Sequence, residues 1–241
     1  MSFEACAAIV EKGDPDRFLA AMAAPVDARR VLFPLYAFNV EVARAPWVTE
    51  EPMIAEMRLQ WWRDALEEIA SGGAVRRHEV TTPLAEVLDV EAAQTLDRLV
   101  SARRWDIYKD AFEDAAHFDE YLTATTGVLM AQAARLLGEG DIKKFGYTTG
   151  LVRFLQAVPA LEAAGRVPLI DGRAKAIGAL AQSVLADADR PHRGPATLEG
   201  WQTKAVLAQI AKQPERVAQG AVGLSPFRKK WRLLRWSSAI L

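Results

Sequence analysis

The sequence predicts an all-α protein. Apolar residues recur at helical spacing along most of the chain, and the clearest case is the segment 118–137, which Gly138 ends. No stretch alternates apolar and polar residues over the length of a strand, and no Asn-Gly pair indicates a hairpin. There is no repeat of fixed period. We therefore expect residues 1–241 to form one domain of about eight to ten helices.

Capping residues and prolines place the first helices. Asp14 is a typical N-cap, and Pro15 suits the first helical position after it. Pro25 ends this helix, and Pro34 is expected to kink the next one. Pro52 begins the helix that follows. The helices predicted in the first half cover residues 16–24, 26–44, 52–70, 83–88 and 90–104.

The second half is predicted to be helical on the same grounds. Pro159 is expected to disturb the last turn of its helix, and Ser225 with Pro226 begins the final one. The predicted helices here cover residues 118–137, 142–161, 173–187, 201–211 and 225–240. In the first of them one face carries Phe118, Tyr121, Leu122, Thr125, Leu129, Ala133 and Leu136.

Composition and charge exclude several classes of protein. Apolar residues make up 51% of the chain and charged residues 25%, which is typical of a globular domain. The net charge of −1 gives no overall attraction for nucleic acid, and the single Cys6 excludes an internal disulfide. The N-terminal stretch carries Glu4 and Glu11, which is not typical of a signal or transit peptide. We expect the cytoplasm, or the mitochondrial matrix if a presequence was removed.

Asp106, Asp110 and Asp114 are the strongest candidates for a metal site. If their segment were helical, the spacing of four would place them on one face, and Mg²⁺ prefers carboxylate oxygens. We favour the alternative, a solvated acidic face in a connector, because only one such cluster exists in the sequence. The histidines, which lie far apart and lack the spacing of a zinc site, are His78, His117 and His192.

The last predicted helix is both aromatic and basic. No acidic side chain follows Glu215. Such a helix could bind an anionic membrane surface or an acidic partner. Alternatively, it packs its aromatic face onto the bundle and leaves its arginines in water, and the sequence leaves both readings open. The aromatic face carries Phe227, Trp231, Leu234 and Ser238, and the stripe beside it carries Arg228, Arg232 and Arg235.

Several stretches together resemble the squalene/phytoene synthase family. They are DPDRFLAAMAAPVDARRVLFPLYAFNVEVAR, EPMIAEMRLQWWRDALEEI, FDEYLTATTGVLMAQAARLLG and GLVRFLQAVPALEAAGRVPL, and the final SPFRKKWRLL is similar to the tail of many short members. The resemblance covers nearly the whole chain and implies the isoprenoid synthase fold, a helical bundle with a central cavity. Catalytic members of the family join two isoprenyl diphosphates head to head, using Mg²⁺ held by two aspartate-rich motifs on facing helices.

The positions that correspond to those aspartates are not acidic here. The first motif would fall at Ala43, Arg44 and Trp47, and the second at Ala157 and Leu161. Without carboxylates nothing fixes Mg²⁺ over the leaving diphosphate. The resemblance therefore implies no catalytic residue, no metal and no cofactor. In lacking these acids the chain resembles the family's non-catalytic branch, which includes a mitochondrial complex I assembly factor.

The resemblance implies an assembly or interaction factor for a membrane respiratory complex. Its partner would be a subunit of that complex, and the protein would work at the surface of the inner membrane. The cavity is expected to retain room for an isoprenoid or quinone chain. The alternative is a Mg²⁺-dependent head-to-head prenyl transferase with degenerate motifs, acting on farnesyl or geranylgeranyl diphosphate. The residues expected to line the cavity are Tyr36, Phe38, Trp47, Phe154 and Leu161.

Overall fold

The prediction of an all-α fold is confirmed. The computed structural model describes residues 3–188 and 191–240, and every regular element within them is helical. The α-helices are α1 (Phe3–Gly13), α2 (Pro15–Ala23), α3 (Val26–Arg44), α4 (Pro52–Ala70), α5 (Thr81–Ala85), α6 (Val90–Ala102), α7 (Ala115–Leu122), α8 (Val128–Leu136), α9 (Lys143–Ala163), α10 (Ala174–Asp187), α11 (Thr203–Lys212) and α12 (Pro226–Ser237).

The twelve α-helices of the described ranges exceed the predicted eight to ten. Two causes account for the difference: α1 was not predicted from the sequence, and one long predicted helix is divided into α7 and α8. Helices α3 and α4 begin and end where they were predicted to. Pro34 lies inside α3 and Pro159 inside α9, and neither proline ends its helix.

A π-helical turn, Thr123–Gly127, joins α7 to α8 without a break. Such a turn inserts an extra residue into the helix and so changes which side chains share a face. Phe118 and Tyr121 of α7 pack in one hydrophobic core, whereas Leu129 and Ala133 of α8 pack in another. The single apolar face predicted from the sequence is therefore divided between two cores.

Helices α3 and α9 lie in these two different cores. The first core includes the inner face of α3, where Leu32, Leu35 and Phe38 are fully buried. The second includes Leu151 and Leu155 of α9, which are also fully buried. Burying one such side chain contributes about 1.5–3 kcal/mol relative to leaving it exposed, so both helices are held firmly. The cavity described below is lined by both.

The terminal helix α12 packs on the bundle with a face that was not the predicted one. Its inner side chains Leu233 and Trp236 lie against the first core, and Trp236 stacks on Phe145 with ring centroids 6.2 Å apart. The Lys229 ammonium lies 3.0 Å from the Asp16 carboxylate of α2. This ion pair holds the start of α12 against α2.

The aromatic face predicted for α12 points away from the bundle. Phe227 is 75% exposed, Trp231 52% and Leu234 59%. The alternative in which this face packs on the bundle is therefore wrong. A second apolar stripe of α12, with Leu233 and Trp236, packs on the bundle instead. No helix in the described ranges combines the length and the hydropathy needed to cross a bilayer.

Candidate functional site

A cavity of about 570 Å³ lies between helices of the two cores. Its walls come from the start of α2 and the loop before it, the C-terminal half of α3, the turn after α6, the end of α7 with the π-helical turn, and α9 from Gly150 onward. A volume of this size is within the range of small-molecule sites in proteins. The predicted bundle with a central cavity is thus present.

All five positions that would carry the family's aspartates line this cavity. Ala43, Arg44 and Trp47 come from the end of α3 and the short 3-10 turn that follows it, Ala45–Trp47. The other two positions lie one helical turn apart on α9, and they are Ala157 and Leu161. No carboxylate stands at any of them. The Arg44 guanidinium lies at the exposed rim, where it donates to the Glu41 carboxylate at 3.5 Å.

The predicted apolar lining is present only in part. Trp47, Phe154 and Leu161 line the cavity. Phe38 does not, because its ring is fully buried against Trp62, edge to face with centroids 5.5 Å apart. Tyr36 is also fully buried and lies behind the wall, with the Arg17 guanidinium 5.5 Å from its ring centroid. Consecutive side chains of a helix point in different directions, so α3 can present only part of its aromatic run to the cavity.

Four charged side chains that the sequence analysis did not single out form a network at the inner wall. Arg17 lies 2.6 Å from Glu199 and 3.3 Å from Asp14. Arg153 of α9 donates to Asp14 and lies 3.4 Å from Glu199. The Glu199 side chain is completely buried and that of Arg17 is 5% exposed. The network therefore joins α9 to α2 and to the 3-10 turn Pro195–Gly200.

The network favours the charged forms of Asp14 and Arg17. Burial alone would raise the pKa of Asp14, but the Arg153 and Arg17 charges outweigh it and hold that pKa below its usual value. Burial would lower the pKa of Arg17, and the Glu199 and Asp14 carboxylates raise it instead. The pKa of the Tyr36 hydroxyl is raised by its burial and by the nearby Glu199 charge. Two carboxylates and two guanidiniums thus balance each other.

A second buried cluster surrounds Asp106. This carboxylate accepts hydrogen bonds from the Arg103 guanidinium at 3.0 Å and from the Tyr121 hydroxyl at 3.0 Å. Arg166 donates to the main-chain carbonyl oxygen of Tyr108 at 2.9 Å and to that of Asp106. Its guanidinium also lies 4.8 Å from the ring centroid of Trp47. Trp47 stands at a position where a catalytic member would carry an acid, and here its ring packs against the Arg166 guanidinium.

The three aspartates considered for a metal site do not form one. Asp106 is buried in the cluster just described, Asp110 is exposed, and Asp114 caps α7 by accepting from the main-chain N–H of His117. The segment is not one helix, so their spacing of four does not place them on a shared face. The favoured reading, a solvated acidic face, fails for Asp106, because that side chain is inside the protein.

The cavity does not suit Mg²⁺. In the ranges 3–188 and 191–240, no group of three or more His, Cys, Asp or Glu residues is placed to hold a metal ion. The carboxylates that line the cavity are Asp14 and Asp106, and both are engaged by arginine. Mg²⁺ needs several oxygen ligands in near-octahedral geometry, and a carboxylate paired with arginine is a poor one.

Breaking the buried network should destabilise the protein strongly. We expect Glu199→Gln to lower the free energy of unfolding by about 3–5 kcal/mol, because it leaves Arg17 buried without its closest counter-ion. Urea unfolding followed by circular dichroism measures the change. The matched control is Arg173→Gln, which removes an exposed pair with Asp171 and should change little. Equal effects of the two substitutions would show that the network is not important for stability.

Asp14 should also make stability depend on acid pH. Its pKa is lowered in the folded protein, so its contribution is complete above the unfolded value of about 4 and is lost as the pH falls through the folded value. We expect the free energy of unfolding to fall less steeply below about pH 4 in Asp14→Asn than in the wild type. Asp110→Asn, at an exposed position, is the control. Identical slopes for all three proteins would contradict the assignment.

The curated relatives that match this chain are complex I assembly factors. The assembly factor 6 homolog of Drosophila melanogaster is 30% identical over 167 residues, which cover 64% of this chain and 50% of that protein. The assembly factor 6 of Homo sapiens is 25% identical over 172 residues, covering 64% and 48%. The chain thus spans about half the length of these relatives.

Two solved structures share the fold, and a family profile matches most of the chain. A dehydrosqualene synthase in complex with ligand matches with a TM-score of 0.67 at 17% identity, covering 98% of this chain and 95% of that one. The squalene synthase HpnC from Alicyclobacillus acidocaldarius matches with a TM-score of 0.60 at 16% identity, covering 98% and 90%. The profile of the squalene/phytoene synthase family matches residues 10–192. That match covers most of the chain, which therefore belongs to the squalene/phytoene synthase family.

Proposed function

We propose that this protein is a non-catalytic family member that serves as an assembly or interaction factor for a membrane respiratory complex of the complex I type. One observation carries the proposal. The five positions where the family's aspartates would stand line a single cavity and include no carboxylate, and they are Ala43, Arg44, Trp47, Ala157 and Leu161.

The chemistry of the family explains why this observation matters. When the C–O bond to a diphosphate breaks, the leaving group needs its developing charge neutralised, and Mg²⁺ held by carboxylates supplies this. Losing one such electrostatic group costs about 2.7–4 kcal/mol of transition-state stabilisation. Here both motifs are absent, and Asp14 and Asp106, which remain in the cavity, are paired with arginines. These residues favour a binding or scaffolding role over catalysis.

The named relatives support the choice of partner. Both the Drosophila and the human relative are called assembly factors of NADH dehydrogenase complex I. By that analogy the partner is a subunit or an intermediate of such a complex, reached from the cytoplasm of a bacterium or from the mitochondrial matrix. The protein would then act peripherally at the inner membrane.

The cavity supports a further part of the proposal, an apolar guest. Trp47, Phe154 and Leu161 offer aromatic and aliphatic surface, and the cavity volume of about 570 Å³ suits an isoprenoid or quinone chain. An enzymatic alternative, a Mg²⁺-dependent prenyl transferase acting on farnesyl or geranylgeranyl diphosphate, is favoured by the fold alone. The following assay separates the two.

We expect no Mg²⁺-dependent release of diphosphate from farnesyl or geranylgeranyl diphosphate. The reason is that the carboxylates that would hold Mg²⁺ are missing. A catalytic squalene synthase assayed in parallel is the positive control. Calorimetry should likewise detect no binding of Mg²⁺ at millimolar concentration. Diphosphate release by the wild type that disappears in Asp106→Asn, with the fold intact by circular dichroism, would establish the enzymatic alternative.

In its native host, loss of the protein should lower the amount of assembled complex I. Blue native electrophoresis with an in-gel NADH dehydrogenase stain measures the assembled complex directly. A plasmid that carries the wild-type chain should restore it, and so should Asp110→Asn, whose side chain is exposed outside the cavity. A deletion strain with a normal amount of the complex, but with altered isoprenoid products, would contradict the proposal.

A further inference from the structure

The outer face of α12 is an apolar ridge without a partner in the described part of the chain. Phe227, Trp231 and Leu234 follow one another at helical spacing, and each is more than half exposed. The helix does not need this face for packing, because Leu233 and Trp236 on the other side already contact the core. Contiguous exposed apolar side chains mark surfaces that bind something.

Three arginines on the same helix have no counter-ion among the residues that the structure describes. Among residues 3–188 and 191–240, neither Arg228, Arg232 nor Arg235 forms an ion pair. The Arg232 guanidinium is partly buried and donates only to the main-chain carbonyl oxygen of Trp201, at 3.5 Å. Its pKa is lowered by burial and by the charges of its two arginine neighbours. An anion bound here would offset both the burial of the Arg232 charge and its repulsion by the two neighbouring arginines.

A groove of about 590 Å³ runs beside the ridge, between α12 and the end of α11. Trp231 and Arg232 form one side, and Lys212 and Arg216 form the other. None of the described residues that line it is a carboxylate. Basic charge and exposed aromatic surface are thus continuous from the groove to the ridge, although the whole chain carries a net charge of only −1. The positive field is local to this end of the molecule.

We propose that α12 and this groove form a docking surface for a bilayer that contains anionic phospholipids. Phe227, Trp231 and Leu234 enter the boundary between headgroups and acyl chains, where tryptophan is favoured. The arginines meet the lipid phosphates, which guanidinium groups bind through paired hydrogen bonds. A helix with Phe, Trp and Leu on one exposed face and arginines beside it has the pattern of a helix that lies in the membrane interface, and this pattern favours a lipid surface.

Flotation of the full chain with vesicles tests this surface. We expect binding to vesicles of phosphatidylcholine mixed with phosphatidylglycerol and little binding to phosphatidylcholine alone. Arg228→Gln with Arg235→Gln should weaken the partition coefficient about thirtyfold, because two basic charges leave the interface. Inorganic phosphate should not release the protein from the vesicles to a greater extent than chloride does at the same ionic strength.

Matched controls separate the docking surface from general charge or hydrophobicity. Arg30→Gln with Arg77→Gln removes two exposed arginines elsewhere and should leave the partition unchanged. Met53→Ser with Met57→Ser, on the exposed face of α4, should also leave it unchanged. The apolar half of the surface is tested by a fourth double variant, Phe227→Ser with Leu234→Ser, which should weaken binding by about tenfold or more.

Several results would overturn the proposal. They are equal binding to neutral vesicles, equal losses in the control variants, competition by free phosphate, and no binding at all. Failure to bind vesicles combined with capture of an acidic protein partner would assign the surface to that partner instead. The inference rests on the peripheral action at the membrane that the proposed function includes. The amount of assembled complex I and the absence of diphosphate release test the rest of the proposed function, so the two can fail separately.

Discussion

The buried ion-pair network of Arg17, Glu199, Arg153 and Asp14 is the constraint on which the cavity depends. It connects three parts of the chain that are far apart in sequence, and it does so inside the protein, where an unpaired charge is very costly. Each member is therefore tolerated only because the others are present. The walls of the cavity are held in place by this mutual requirement as well as by the two hydrophobic cores.

This arrangement also decides what the cavity can bind. In a catalytic relative of the family, metal ions and diphosphate would link the facing walls when substrate binds. Here arginine and carboxylate side chains of the protein itself join α2 and α9. Nearby, Arg103 neutralises Asp106 in the same way. A strongly anionic guest would have to compete with these internal carboxylates, whereas an apolar guest would not disturb them.

Much of the fold could be predicted from the sequence, but only part of the site. Pro52 and the Ser-Gly-Gly that follows residue 70 set both ends of α4 through local chemistry, and these ends are correct. Arg153 could have been found, since it interrupts the apolar stripe of α9 one turn before Ala157. Glu199 could not, because it lies in a 3-10 turn whose approach to Arg17 depends on tertiary packing. The sequence left the packing of α12 open because the helix carries two apolar stripes, and only contacts show which is buried.

The π-helical turn between α7 and α8 has a consequence for comparing this chain with its relatives. One additional residue rotates all later side chains of a helix by about 100° relative to the earlier ones. A homologue with a regular helix here would need a one-residue gap inside an otherwise continuous element. An alignment that forbids such a gap would match Tyr121 or Thr125 to residues facing elsewhere, and would misassign this wall of the cavity.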